Sequence, residues 1–137
     1  WTREAGIETR AGFLVGLPGE TPELAKKTIQ TAIELDPDYA QFTVCCPYPG
    51  TKLANEIHEG KWGKFLTHNL KKYNMWNVTW LPFGYKNAEE LKNMERYAFR
   101  KFYLRPSYVI RRILAIRSFE DIKRYIKGGT ALVKGFL

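Results

Sequence analysis

Polar and apolar positions alternate along residues 7–15, with Ala11, Phe13 and Val15 on one side and Gly12, Leu14 and Gly16 on the other. A period of two predicts a strand. Before it, residues 1–5 can close a helix, with Gly6 in the left-handed cap position that glycine favours. Past the turn at residues 16–20 the period changes. Ala25, Ile29, Ala32 and Ile33 recur at helical spacing and predict a helix reaching about residue 35. Thr21 is its N-cap, Pro22 its first residue and Glu23 a favourable charge against the helix dipole. Asp36 and Pro37 stop it. Alternation returns over residues 39–46: Ala40, Phe42, Val44 and Cys46 share one face, Tyr39, Gln41, Thr43 and Cys45 the other. Strand, helix and strand in about forty residues make one parallel crossover unit, expected to be right-handed.

The Pro-Tyr-Pro-Gly-Thr stretch at 47–51 predicts a rigid turn, followed by a short helix to about residue 59 that Gly60 ends. Residues 61–86 carry Trp62, Trp76 and Trp80 but little periodicity, which predicts an irregular packed segment with an extended piece around 76–81. Asn87 with Glu90 is a capping pair for a helix whose stripe is Leu91, Met94, Ala98 and Phe102 and which Pro106 ends. A second helix is expected from Ser107 or Tyr108 to about residue 116. A third, capped by Ser118 with Asp121, is expected to stop at Gly128 and Gly129.

The chain has 137 residues, 45% hydrophobic and 15% aromatic, enough for one folded domain or a piece of one and too apolar for disorder. It contains no apolar run of about 20 residues and no signal-peptide pattern. The opening residues, from Trp1 onward, read as the end of a helix, so the expectation is a fragment. Cys45 and Cys46 are adjacent, which fits neither an ordinary local disulfide nor a zinc site. A reducing, cytoplasmic setting is expected.

Charge is uneven. Residues 1–85 hold nine basic and nine acidic side chains, whereas residues 86–137 hold thirteen and five, so the whole net charge of +8 lies in the last third. Such a surface suits nucleic acid, an anionic membrane or an acidic partner, or is simply a solvated helical face. Phe99, Phe102, Tyr103, Ile110 and Ile113 fall at helical spacings among these charges, as in a packed bundle, which disfavours nucleic acid. Residues 109–119 combine an apolar side with arginines and suit a peripheral membrane contact.

The candidate chemistry lies at the first strand. Gly12 and Gly16 flank Leu14 and leave a small apolar shelf with accessible backbone, suited to a flat group such as a nucleobase or to close packing against another element. The turn that follows lies at the carboxyl end of the strand, where parallel α/β proteins bind ligands. If the two strands are neighbours, Gln41, Thr43 and Cys45 lie beside the shelf, and a polar face there suggests a cavity. His58 and His68 have no partner at metal-ligand spacing and read as surface residues. Glu20 and Glu23 lie near the turn, and capping accounts for Glu23. No nucleophile is paired with a base.

Residues 12–21, GFLVGLPGET, followed after a helix by FTVCCPYPGT at 42–51, resemble the fifth and sixth strands of the radical S-adenosylmethionine (SAM) barrel. FYLRPSYVIRRIL at 102–114, with Gly128 and Gly129 beyond, resembles the helical extension of the cobalamin-binding branch, which includes the anaerobic magnesium-protoporphyrin ester oxidative cyclases. The resemblance implies an α/β fold in which residues 1–60 are the C-terminal strands of a partial barrel. Residues 61–137 would be an irregular segment and a basic helical extension. It also implies SAM as cofactor, with Leu14 against adenine, Gly12 and Gly16 giving clearance, backbone groups of Val44 to Cys46 at the adenine edge, and Thr43 and Cys45 facing cofactor or substrate. The family's [4Fe-4S] cluster needs a CxxxCxxC motif that this sequence lacks. Cluster and cobalamin would therefore be held by a missing N-terminal part, the chain alone would be inactive, and the substrate would be a small or lipophilic molecule.

Overall fold

The computed structural model describes Thr2, residues 4–116, Glu120 and Lys123. The fold is mixed α/β, with two small sheets and four helices among the described residues. Apart from Glu120 and Lys123, the third C-terminal helix expected after Ser118 lies outside them, as do residues 117–119 of the 109–119 stretch.

Strand β1 (Arg10–Val15) and strand β2 (Tyr39–Val44) pair in parallel, joined by helix α1 (Pro22–Leu35). Ahead of β1, the Ile7 N–H donates to the Thr2 carbonyl at 2.9 Å around Gly6, whose φ is 73°. That bond has the six-to-one form of a glycine cap, but the described residues up to Gly6 form a turn and not a helix. β1 is shorter than the alternation suggested, because residues 7–9 do not pair as strand. Thr9 instead exchanges bonds with Asp38: its N–H and hydroxyl donate to the carboxylate and its oxygen accepts the Asp38 N–H.

The bounds of α1 match the expectation because its signals are local. Thr21 accepts from the Leu24 N–H, Pro22 stands at the first position, and Asp36 ends the helix at φ 47°. Ala25, Ile29 and Ala32 are buried against the sheet.

Helix α2 (Lys52–His58) is capped by Thr51. The segment expected to be irregular contains an antiparallel pair, β3 (Gly63–Phe65) with β4 (Trp80–Pro82), and a 3-10 turn at Leu70–Lys72. Three-residue strands are too short to show a period. Helix α3 (Ala88–Tyr103) starts at Asn87 as expected but ends before Pro106. Pro106 instead opens helix α4 (Pro106–Leu114) at its first position, where its fixed φ and missing N–H cost nothing.

One main core joins Val15, Ala40, Phe42 and Val44 of the sheet to Ala25, Ile29 and Ala32 of α1 and to Leu91, Met94, Ala98, Phe99 and Phe102 of α3. Residues on both sides of position 60 thus contribute to it. Phe42 stacks against Phe13 and meets Phe99 and Phe102 edge-on. A smaller cluster holds Cys45, Ile57 and Trp80. No helix among the described residues is long and apolar enough to cross a membrane.

Candidate functional site

The register places Gly12 opposite Gln41 and Leu14 opposite Thr43, so the shelf and the polar positions share one face, as the alternation implied. α1 and α3 cover the other face. On the open one, Leu14 keeps 45% of its surface and Gln41 is exposed, while Thr43 is half-buried. No atom lies within 4 Å of where a side chain at Gly12 would begin. The sheet therefore presents a flat apolar patch with bare backbone beside an amide and a hydroxyl. A planar heteroaromatic group can stack on Leu14 and hydrogen-bond at the rim of such a surface.

The other predicted residues lie elsewhere. At Gly16 the chain leaves the strand with φ 74°, and a side chain there would meet Leu91 Cδ1 at 2.9 Å. Its clearance is taken up by α3, because alternation stops where the turn begins. The Val44 side chain lies in the main core. Cys45 is buried beside Ile57 and Trp80, its N–H donates to the Val15 carbonyl at 2.8 Å, and its own carbonyl accepts the Trp80 indole N–H at 2.8 Å. Burial, with smaller contributions from Cys46 and Glu20, pushes the Cys45 thiol up to about 11. Packed and raised in this way, it is held as a thiol at neutral pH.

The turn after β1 is braced from within. The Glu20 N–H closes on the Leu17 carbonyl at 3.0 Å, with Pro18 second and Gly19, at φ 73°, third in the turn. The Glu20 carboxylate accepts the N–H groups of Gly16 and Leu17, the latter at 3.2 Å, and the Tyr85 hydroxyl at 3.4 Å. The amides that a glycine turn could offer an anion are thus occupied by the turn's own side chain. In the sequence, Glu20 is marked for this role by nothing more than its position four residues after Gly16.

The wall beside β2 comes from the segment between β3 and β4. Met75 Sδ accepts from the Gln41 amide at 3.4 Å, the Tyr48 hydroxyl donates to the Tyr73 carbonyl at 3.3 Å, and the Cys46 thiol lies 3.5 Å from the Thr79 hydroxyl. A shallow depression of about 300 Å³ lies at the other, amino end of the strands, lined by Arg10, Gly12, Tyr39, Gln41 and Tyr103 among others.

His58 and His68 do meet: their rings stack at 5.8 Å and 8°, with Phe65 against both. No group of three or more metal-ligating side chains occurs among the described residues. The arginines of α4 turn inward. Arg105 and Arg111 pair with Asp36, and Arg112 pairs with Asp38 and donates to its carbonyl. Val109, Ile110, Ile113 and Leu114 face outward instead.

No family model matches the chain. It is 36% identical over 131 residues to an uncharacterized methyltransferase of Pyrococcus horikoshii, covering 92% of this chain and 27% of that protein. It is 31% identical over 103 residues to the anaerobic magnesium-protoporphyrin IX monomethyl ester cyclase of Cereibacter sphaeroides, covering 75% of this chain and 16% of the cyclase. To the cyclase of the same name from Rubrivivax gelatinosus it is 29% identical over 108 residues, covering 78% and 18%. The chain is thus related to proteins named as enzymes, and it spans about a quarter or less of their length.

Proposed function

We propose that this chain is the C-terminal portion of a radical SAM enzyme, and that β1 and β2 carry part of its adenosyl-binding face. The observation that supports this most is the open sheet face, where Gly12 and Leu14 stand in register with Gln41 and Thr43. Similarity to a methyltransferase and to the cyclases over most of the chain agrees with it.

In this reading Leu14 stacks on the adenine, bare backbone at Gly12 permits close approach, and Thr43 supplies a hydroxyl beside it. Gly16 and Glu20 shape the turn at the carboxyl end of β1. Cys45 and Val44 act through the fold: their packed side chains and the backbone bonds of Cys45 keep β2 in place. When bound, SAM would supply the transferable methyl group or the 5′-deoxyadenosyl fragment. The chain's own residues bind and orient the nucleoside and shield one side from water.

A [4Fe-4S] cluster does not fit the residues present, because two adjacent cysteines, one a packed thiol, cannot provide three thiolates. Cluster and cobalamin would belong to a preceding part of the polypeptide, which would also add strands beside β1 to extend the sheet into a partial barrel. Alone, the chain is then inactive, and its substrate is selected largely elsewhere. The coding sequence ahead of Trp1 tests this: a CxxxCxxC motif one to two hundred residues upstream, about one domain length, supports the reading, and a start codon close to Trp1 with no such motif overturns it.

A further inference from the structure

Glu95 lies in the middle of α3 with no exposed surface, on the side of the helix that packs into the protein. One turn earlier, the Lys92 ammonium pairs with Glu95 Oε2 and also donates to the Trp76 carbonyl at 3.0 Å. Apart from that ion pair, neither carboxylate oxygen of Glu95 accepts a hydrogen bond. Burial raises the Glu95 pKa against the opposing pull of Lys92 and Arg96. A carboxylate so placed is costly to bury unless it is paired, and the ammonium paired with it is that of Lys92.

What it holds is a lysine, a long side chain that loses much rotamer freedom when fixed. Lys92 in turn reaches a loop with several bonds of its own. Within that loop the Trp76 N–H and the Asn77 amide both donate to Asn74 Oδ1, at 3.0 and 3.1 Å, and Asn77 also donates to the Lys72 carbonyl at 3.3 Å. Its polar ties to the elements around the sheet run through Tyr48 to Tyr73, Gln41 to Met75 and Lys92 to Trp76. The first two start from β2 and the turn after it. The third starts from α3, on the covered side of the sheet, and so clamps the loop across the edge of β2.

We propose that Lys92, held by Glu95, is a positioning residue that fixes the 73–77 loop as the side wall of the open face, with Met75 against Gln41. This rests on the adenosyl reading above. The two charges work as one device: Glu95 restricts the ammonium, and the ammonium restrains the backbone that carries Met75. Neither residue touches the ligand.

Lys92→Met alone would strand a buried carboxylate and risk unfolding, so the informative variant is Lys92→Met with Glu95→Gln. Lys92→Arg is the conservative rescue, since it keeps a charged donor. Three quantities are measured on the full chain: thermal midpoint, amide hydrogen exchange at Met75, Trp76 and Asn77, and the SAM dissociation constant from chemical-shift titration. The expected result is a midpoint near that of the wild type, exchange about tenfold faster at those amides, and SAM binding about tenfold weaker, with both effects reversed in Lys92→Arg. Unchanged exchange in the double variant would overturn the clamp. Faster exchange with unchanged SAM affinity would overturn its role in the site. If SAM produces no response in the wild type while exchange still quickens, the adenosyl reading fails and the positioning role falls with it.

Discussion

The Tyr103 hydroxyl serves both backbone polar groups of Ala40: it donates to the carbonyl at 2.7 Å and accepts the N–H at 3.1 Å. β1 occupies one edge of β2, so Tyr103 stands at the other edge where the backbone of a further strand would stand. An edge blunted by a side chain resists pairing with another chain. Tyr103→Phe keeps the ring packed against Phe99 and Phe102 but leaves both groups of Ala40 unpaired. It is expected to cost about 1–3 kcal/mol in urea unfolding. A loss near zero would mean that Ala40 finds other partners.

Burial lifts the Tyr103 phenol from 10.0 to about 12 and the Cys45 thiol from 9.0 to about 11, and it raises the Tyr85 phenol as well. Each group keeps its proton in the fold to a higher pH than in the unfolded chain. The unfolded state therefore binds fewer protons above pH 9, and stability falls as pH rises. These contributions are complete below about pH 9 and are lost progressively as pH passes through 11 and 12. Urea midpoints between pH 7 and 11.5 should decline with a slope that steepens above pH 9, and less so in Tyr103→Phe. A flat profile would contradict the burial of these groups.

Two glycines should respond to alanine in opposite ways. A side chain at Gly84 would collide with the Glu20 carbonyl, part of the braced turn, and backbone cannot swing aside as a flexible side chain can. Gly84→Ala should destabilise by about 1–3 kcal/mol. At Gly12 the space is open, so Gly12→Ala should hold or raise stability by up to about 1 kcal/mol, while it weakens any flat ligand on the shelf. Thermal unfolding with ligand titration of both variants separates fold from site.

Asp36 joins the end of α1 to α4 by pairing with Arg105 and Arg111. Asparagine tolerates the left-handed backbone found there, so Asp36→Asn isolates the loss of charge. About 2 kcal/mol is expected in chemical denaturation, in the range for hydrogen bonds to charged groups. A cost no larger than that of an exposed lysine substitution would mean that the arginines do not anchor α4.

The parts of the fold legible in the sequence are those set by neighbours along the chain. The caps at Thr21 and Asn87 and the two faces of β1 and β2 follow from local spacing, and the structure has them so. Gly16 illustrates the limit. Strict alternation put it on the shelf, but the turn rotates it toward Leu91. The short strands β3 and β4 carry no period. Tyr103 to Ala40, Arg111 to Asp36 and the stacked His58 and His68 join residues distant in sequence, and nothing within a short window announces them. For the candidate site, the positions of Gly12, Leu14 and Thr43 were readable, whereas the Met75 wall and its Lys92 clamp were not.

In the proposed function, the open face of β1 and β2 receives an adenosyl group. The most direct test of this is a titration of the isotopically labelled chain with millimolar SAM, following the Leu14 methyl and Gly12 amide signals by NMR. The account predicts saturable shifts concentrated at Gly12, Leu14, Gln41 and Thr43, reproduced by adenosine and diminished in Gly12→Ala. Signals on that face that stay still, or shifts confined to the basic helices, would contradict it.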